Sequence, residues 1–191
     1  MTNSLTIAVE AVIETNDHQA RPFIDGKDWL GPEFLGLDPP MLKAEFLAED
    51  GRDLIVGRCR CGIVECSNRS VEIRRTEGSV HWSGPGANGP VFDAAQYDAE
   101  VARFVHDTSW ETVGRAAERE IERLFRGTTI RRFKFDWVST RHREGWITLS
   151  YSKGDRQRLL KFRWDGVSVA DAIDQAKAFR AQRFPDQKGG D

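Results

Sequence analysis

The chain has no long hydrophobic run, few cysteines, only two tyrosines and two methionines, and a net charge of just −2. Each shortage excludes something. No apolar stretch approaches the roughly 20 residues that a membrane helix needs, so no membrane span is expected. Thr6, Glu10 and Glu14 interrupt the N-terminal hydrophobic stretches, and no basic opening precedes them. That argues against a signal peptide and makes the cytoplasm the expected location. Three cysteines, an odd number, suit a reducing compartment better than a disulfide framework. The four histidines, His18, His81, His106 and His142, include no pair at metal-ligand spacing. No serine sits in a nucleophile elbow, and no phosphate-binding lysine loop is present.

What is present is an ordinary globular composition, 39% hydrophobic and 30% charged, which argues against wholesale disorder. The charge is unevenly spread. Residues 1–57 carry a balance of −7, residues 58–114 of −2 and residues 115–191 of +7. Such polarity marks a charged protein-binding face or a basic patch, or it cancels where the two ends pack together.

Hydrophobic periodicity gives the elements. Leu5, Ile7, Val9, Ala11 and Ile13 alternate as a half-buried strand, and Asp25-Gly26 between apolar pairs reads as a hairpin turn. Asp38 before Pro39 and Pro40 opens a short helix through Leu47, with the aspartate as its cap. Strands are expected at Leu54–Val56, Val71–Ile73 and Val80–Trp82, then a loop from Ser83 to Pro90. Asp93 with Gln96 opens a helix striped by Tyr97, Val101, Phe104 and Val105. Thr108 with Glu111 opens another over 109–126, lined by Trp110, Val113, Ala117, Ile121 and Leu124. Phe133-Phe135-Trp137, Ile147-Leu149-Tyr151 and Leu160-Phe162-Trp164 alternate as an antiparallel meander, and a helix capped by Ser168 covers its apolar face.

Val80-His81-Trp82-Ser83-Gly84 with Val91-Phe92-Asp93-Ala94 echoes Phe162-Arg163-Trp164-Asp165-Gly166 with Val169-Ala170-Asp171-Ala172. The expected fold is α+β: antiparallel sheets with helices packed on one side of each, as two related βββα units. One compact domain over residues 1–184 is expected, with subdomains 1–107 and 127–184 joined by the helix at 109–126. Residues 185–191 form a flexible tail.

Cys59, Cys61 and Cys66 fall within eight residues, and three readings stand beside one another. As packed small hydrophobes around Gly62, Cys59 and Cys61 would each lose about 1–2 kcal/mol on change to alanine, and chelator would have no effect. As a zinc site they need a fourth ligand, and His81 is the nearest candidate. As a reactive thiolate, Cys61 or Cys66 would be activated by Arg58 and Arg60, making the chain a thiol-dependent enzyme. Ile55 shares parity with Cys59 and Cys61, which favours inward-facing cysteines.

Two further motifs are set aside at this level. Gly84-Pro85-Gly86-Ala87-Asn88-Gly89 matches a dinucleotide fingerprint in letters, but its helix opens only after the motif, at Asp93. Arg131, Arg132, Lys134, Arg141, His142 and Arg143 intersperse with rings as a nucleic-acid surface would. Strict alternation, however, sends Phe133, Phe135 and Trp137 inward, so nucleic acid is not the expected partner.

The run Val56-Gly57-Arg58-Cys59-Arg60-Cys61-Gly62-Ile63-Val64-Glu65-Cys66, with Val80-His81-Trp82 and Phe92-Asp93-Ala94-Ala95-Gln96-Tyr97, resembles a group of uncharacterised bacterial proteins. These carry a C-x-C-G-x-x-x-C turn, a V-x-W strand and an F-D-x-x-Q-Y helix opening. The resemblance covers about residues 54–105 and implies a small cytoplasmic bacterial protein with no activity attached. The Gly84–Pro90 loop is shorter than the aromatic-rich stretch of that group. The expected function is non-catalytic binding of a protein partner, as in immunity or accessory proteins. The alternative is a zinc-stabilised binding protein using Cys59, Cys61, Cys66 and His81.

Overall fold

Asp25 and Gly26 both take positive φ, 50° and 74°, and fold the chain back between an eight-residue strand and a two-residue one. The computed structural model that contains this turn describes residues 2–12, 17–48, 53–61, 66–83 and 89–185. Among the described residues the fold is α+β, with three antiparallel sheets and four helices. The chain forms two compact units, Met1–Asp107 and Thr108–Asp191. No helix among the described residues is long and apolar enough to cross a membrane.

In the first unit, β1 (Leu5–Val12), β2 (Asp17–Ile24) and β3 (Lys27–Asp28) make one sheet. Leu5 and Ile7 are buried as their alternation requires, while Ile13 lies outside the described residues. Arg21 on β2 is buried too. Its guanidinium donates to Asp28 at 2.6 Å and to the carbonyls of Gly31 and Phe34, so one side chain pins the following connection. A second sheet runs β4 (Phe34–Leu35), β5 (Leu54–Cys59), β6 (Asn68–Thr76), β7 (Ser79–Ser83) and β8 (Val91–Asp93), in that spatial order. β8 follows the expected loop directly, between Pro90 and the helix start, because Val91 and Phe92 pair back onto His81 and Val80.

Helix α1 (Pro39–Leu47) starts at Asp38, although the aspartate's side chain makes no capping hydrogen bond. The prolines at the first two helical positions are what define its start. Helix α2 (Ala94–His106) is capped as expected: the Asp93 carboxylate accepts the Gln96 N–H at 2.9 Å. Its side chains do a second job. Gln96 bonds both the N–H and C=O of Leu5, Glu100 accepts the Ile7 N–H, and Arg103 donates to the Ile7 carbonyl. The free edge of β1 is thereby closed by side chains where a strand would otherwise pair.

The second unit begins with α3 (Val113–Phe125), which starts later than its sequence suggests. Thr112, not Thr108, is the cap and accepts the Arg115 N–H, while Thr108 accepts the Glu111 N–H through its carbonyl in a preceding turn. Trp110 therefore stands outside the helix. Ala117, Ile121 and Phe125 enter the second unit's core, so α3 belongs to that unit and does not serve as a connector. Strands β9 (Thr129–Ile130), β10 (Phe133–Ser139), β11 (Trp146–Lys153) and β12 (Arg156–Arg163) follow in meander order. Helix α4 (Val169–Arg183) is capped by Ser168, and Ala172, Ala176 and Phe184 join the same core.

Both units carry a helix, a three-stranded meander and a second helix, with β8 added before the second helix of the first unit. Trp82 and Trp164, the echoed residues, are both buried. A further expectation fails in the second unit. In β10 the register shifts between Phe135, opposite Tyr151, and Trp137, opposite Ser150. The extra residue is Asp136, a β-bulge that turns Trp137 away from the core and puts Val138 there.

Burial raises the hydroxyl pKa of Tyr97 to about 12 and that of Tyr151 likewise to about 12. A raised folded-state pKa keeps the neutral form, so this stability is complete below the unfolded value near 10 and is lost as pH rises toward 12. Thermal melts taken upward from about pH 9 should show a midpoint falling steeply above pH 10; a flat profile would mean both hydroxyls ionise unhindered.

Candidate metal centre

Strand β5 ends at Cys59, which stands opposite Phe34, and β6 begins at Asn68 opposite Arg58. Cys61 and Cys66 belong to the connection between these strands, at one end of the sheet. The sulfurs of Cys59, Cys61 and Cys66 all lie within 4.8 Å of one another. Cys59 and Cys61 are paired as a disulfide across one residue, with Cα atoms 5.4 Å apart, and Cys66 is a free thiol.

Exposure corrects the packing reading as well. Cys59 is half-buried, and Cys61 and Cys66 are exposed, so none is a core hydrophobe. The parity argument from Ile55 fails because β5 also carries a bulge: Ile55 faces Ser70 while Gly57 faces Arg69, leaving Val56 as the extra residue. Along β5, alternation places Arg58 and Cys59 on opposite faces of the strand.

His81 does not join the cluster. It lies on β7 opposite Arg74, and its Nε2 is 3.0 Å from the Ser79 hydroxyl. Arg74 is six residues along β6 from Asn68, about 20 Å at the rise of an extended strand. Residues 84–88 of the glycine-rich motif lie outside the described residues. At Gly89 a Cβ would meet the Trp82 carbonyl at 1.7 Å, so that glycine serves close backbone approach.

Beside the cysteine turn opens a cleft of about 500 Å³ lined by Phe34, Asp53, Asn68, Arg69, Ser70, Glu72 and Ser83. The Arg69 guanidinium lies 4.7 Å from the Trp29 ring centre, and the Arg74 guanidinium, hydrogen-bonded to Glu72, holds that carboxyl below its ordinary pKa. The sequence marks none of these residues, since a polar strand face looks like any solvated surface.

No family model matches the chain, and no curated protein or solved structure does so either.

Proposed function

We propose that this chain is a non-catalytic binding protein whose first unit is stabilised by a zinc ion held by Cys59, Cys61 and Cys66. The observation that carries the reading is the convergence of three sulfurs at a half-exposed turn. Thiolates are the ligands zinc prefers, and three of them leave one tetrahedral position for water or for a group from a binding partner. Metal binding requires the reduced form of the Cys59–Cys61 pair, so the ion and the disulfide exclude each other.

Zinc content, measured on protein purified with reductant and without a metal-affinity tag, tests this. About one zinc per chain is expected, lost in Cys59→Ser, Cys61→Ser and Cys66→Ser alike. Chelator should lower the melting temperature of the wild type by several degrees and leave those variants unmoved, since a bound ion stabilises only the state that holds it. Less than about 0.2 zinc per chain would overturn the proposal.

The pairing of Cys59 with Cys61 favours a second reading, a dithiol that cycles between open and closed forms. Mass spectrometry after alkylation separates the two. A pair that stays oxidised in reductant-purified, zinc-free protein belongs to the second reading.

A further inference from the structure

We propose that the face of the second unit's sheet opposite its helices binds single-stranded nucleic acid. This inference goes beyond the zinc reading and rests on other residues. Strand register defines the face. Lys134 stands opposite Ser152 and Gln157, Trp137 opposite Ser150 and Leu159, Ser139 opposite Thr148 and Lys161, and Trp146 opposite Arg163. Residues directly opposite share a side, so all of these point to one face of the sheet; Ser139, Thr148 and Ser150 are buried within it, Trp137 and Trp146 are half-buried, and Lys134, Gln157, Leu159, Lys161 and Arg163 are exposed. Helices α3 and α4 contribute to the core cluster on the other side, with Ile147, Leu149 and Tyr151.

The bulge at Asp136 is decisive. Unbroken alternation would bury Trp137 and leave this surface with cations and Trp146 alone. The extra residue puts a second indole among the cations. The His142 ring stacks on that of Trp137, 5.3 Å between centres and 7° from parallel. The guanidinium groups of Arg163 and Arg143 lie 4.4 and 5.3 Å from the Trp146 ring centre. One indole is thus stacked on an imidazole and the other lies close to two guanidinium groups, a set of rings and cations of the kind on which bases stack.

Charge favours the same ligand. The arginines of α3 and the one that follows it are neutralised close by: Arg115 by Glu118, Arg119 by Glu111 and Glu120, Arg123 by Glu120, Arg126 by Glu122. Lys134, Arg143, Lys161 and Arg163 are exposed and form no ion pair among the described residues. Asp136, also exposed, accepts a hydrogen bond from Ser150, and Glu144 stands next to Arg143. The surface remains positive on balance. An acidic peptide would satisfy the cations but would leave the rings without a role, whereas phosphates and bases use both.

The test is fluorescence anisotropy of labelled oligouridine and oligodeoxythymidine titrated with the full chain, with polyglutamate as competitor. Binding should weaken steeply with added salt, since phosphate contacts release counterions. Trp137→Ala should weaken it by about 5- to 100-fold, the loss of one stacking platform, and Arg163→Glu by a similar factor. RNA and DNA arms show whether the 2′-hydroxyl contributes. Absence of binding at low salt, or equal competition by polyglutamate, overturns the proposal. So does binding that Arg163→Glu abolishes and Trp137→Ala leaves unchanged. Should Trp137→Ala fail to fold, quenching of wild-type tryptophan fluorescence by the oligonucleotide replaces it: quenching is expected, and its absence overturns the proposal.

Discussion

Glu118→Ala should lower the stability of the second unit by about 3–5 kcal/mol. Glu118 sits on α3 at 6% exposure, and Arg115, one turn before it, is equally buried. One carboxylate oxygen accepts the Thr140 backbone N–H at 2.6 Å, the Thr140 hydroxyl at 3.0 Å and the Arg141 Nε at 3.4 Å. The other accepts from Arg115 at 3.2 Å. Alanine withdraws the acceptor from four donors at once and takes the carboxylate from beside a buried guanidinium. The cost is large because desolvation was already incurred by the groups left behind. Glu118→Gln keeps the size and one acceptor oxygen, so it should cost less than alanine. Urea unfolding of the two variants checks the order. A loss under about 1 kcal/mol for alanine would mean that water replaces the carboxylate freely.

Trp82→Ala should cost about as much in the first unit, 3–5 kcal/mol. The indole is 1% exposed and meets Trp29, Phe92 and Tyr97 edge-to-face at 5.5, 5.3 and 6.2 Å between centres. Its N–H donates to the Tyr97 hydroxyl at 3.2 Å. Removing it opens a cavity in rigid aromatic surroundings that close only partly over the space. Trp82→Phe separates the contributions, because the phenyl ring restores most of the volume without the donor. It should lose roughly 1–2 kcal/mol beyond the smaller packing deficit. Denaturant midpoints at constant slope measure both. Equal losses for alanine and phenylalanine would place the whole effect in the hydrogen bond.

Much of the fold is legible in the residues because period and capping agree there. Ser168 and Asp93 lie at helix starts with acceptors correctly spaced, and Ile147, Leu149 and Tyr151 alternate without interruption into the core. Reading fails at single-residue irregularities. A bulge leaves no mark in composition, so neither Val56 nor Asp136 announces that the strand changes sides. The first bulge undid the parity argument for the cysteines, and the second undid the assignment of Trp137 to the core. Thr108 and Thr112 are both competent caps, and local pattern does not choose between them; the core does, through Ile121 and Phe125. Of the candidate site, the three cysteines are legible by proximity alone. His81 is not, because its separation from them is a matter of pairing register.

The clasp of α2 on β1 bears on how the chain assembles as it is made. In the second unit each strand pairs with the one just before it, so contacts form as soon as the residues exist. The first unit closes differently. Leu5 and Ile7 wait for Gln96, Glu100 and Arg103, more than 90 positions later, and Asn3 waits for Val91. On a ribosome, β1 therefore stays open-edged until nearly the whole first unit has emerged, and closing so long a loop is the step expected to slow its folding. A nascent chain halted before α2 would expose that edge, and the edge, rather than any single core residue, is where such a fragment would begin to aggregate.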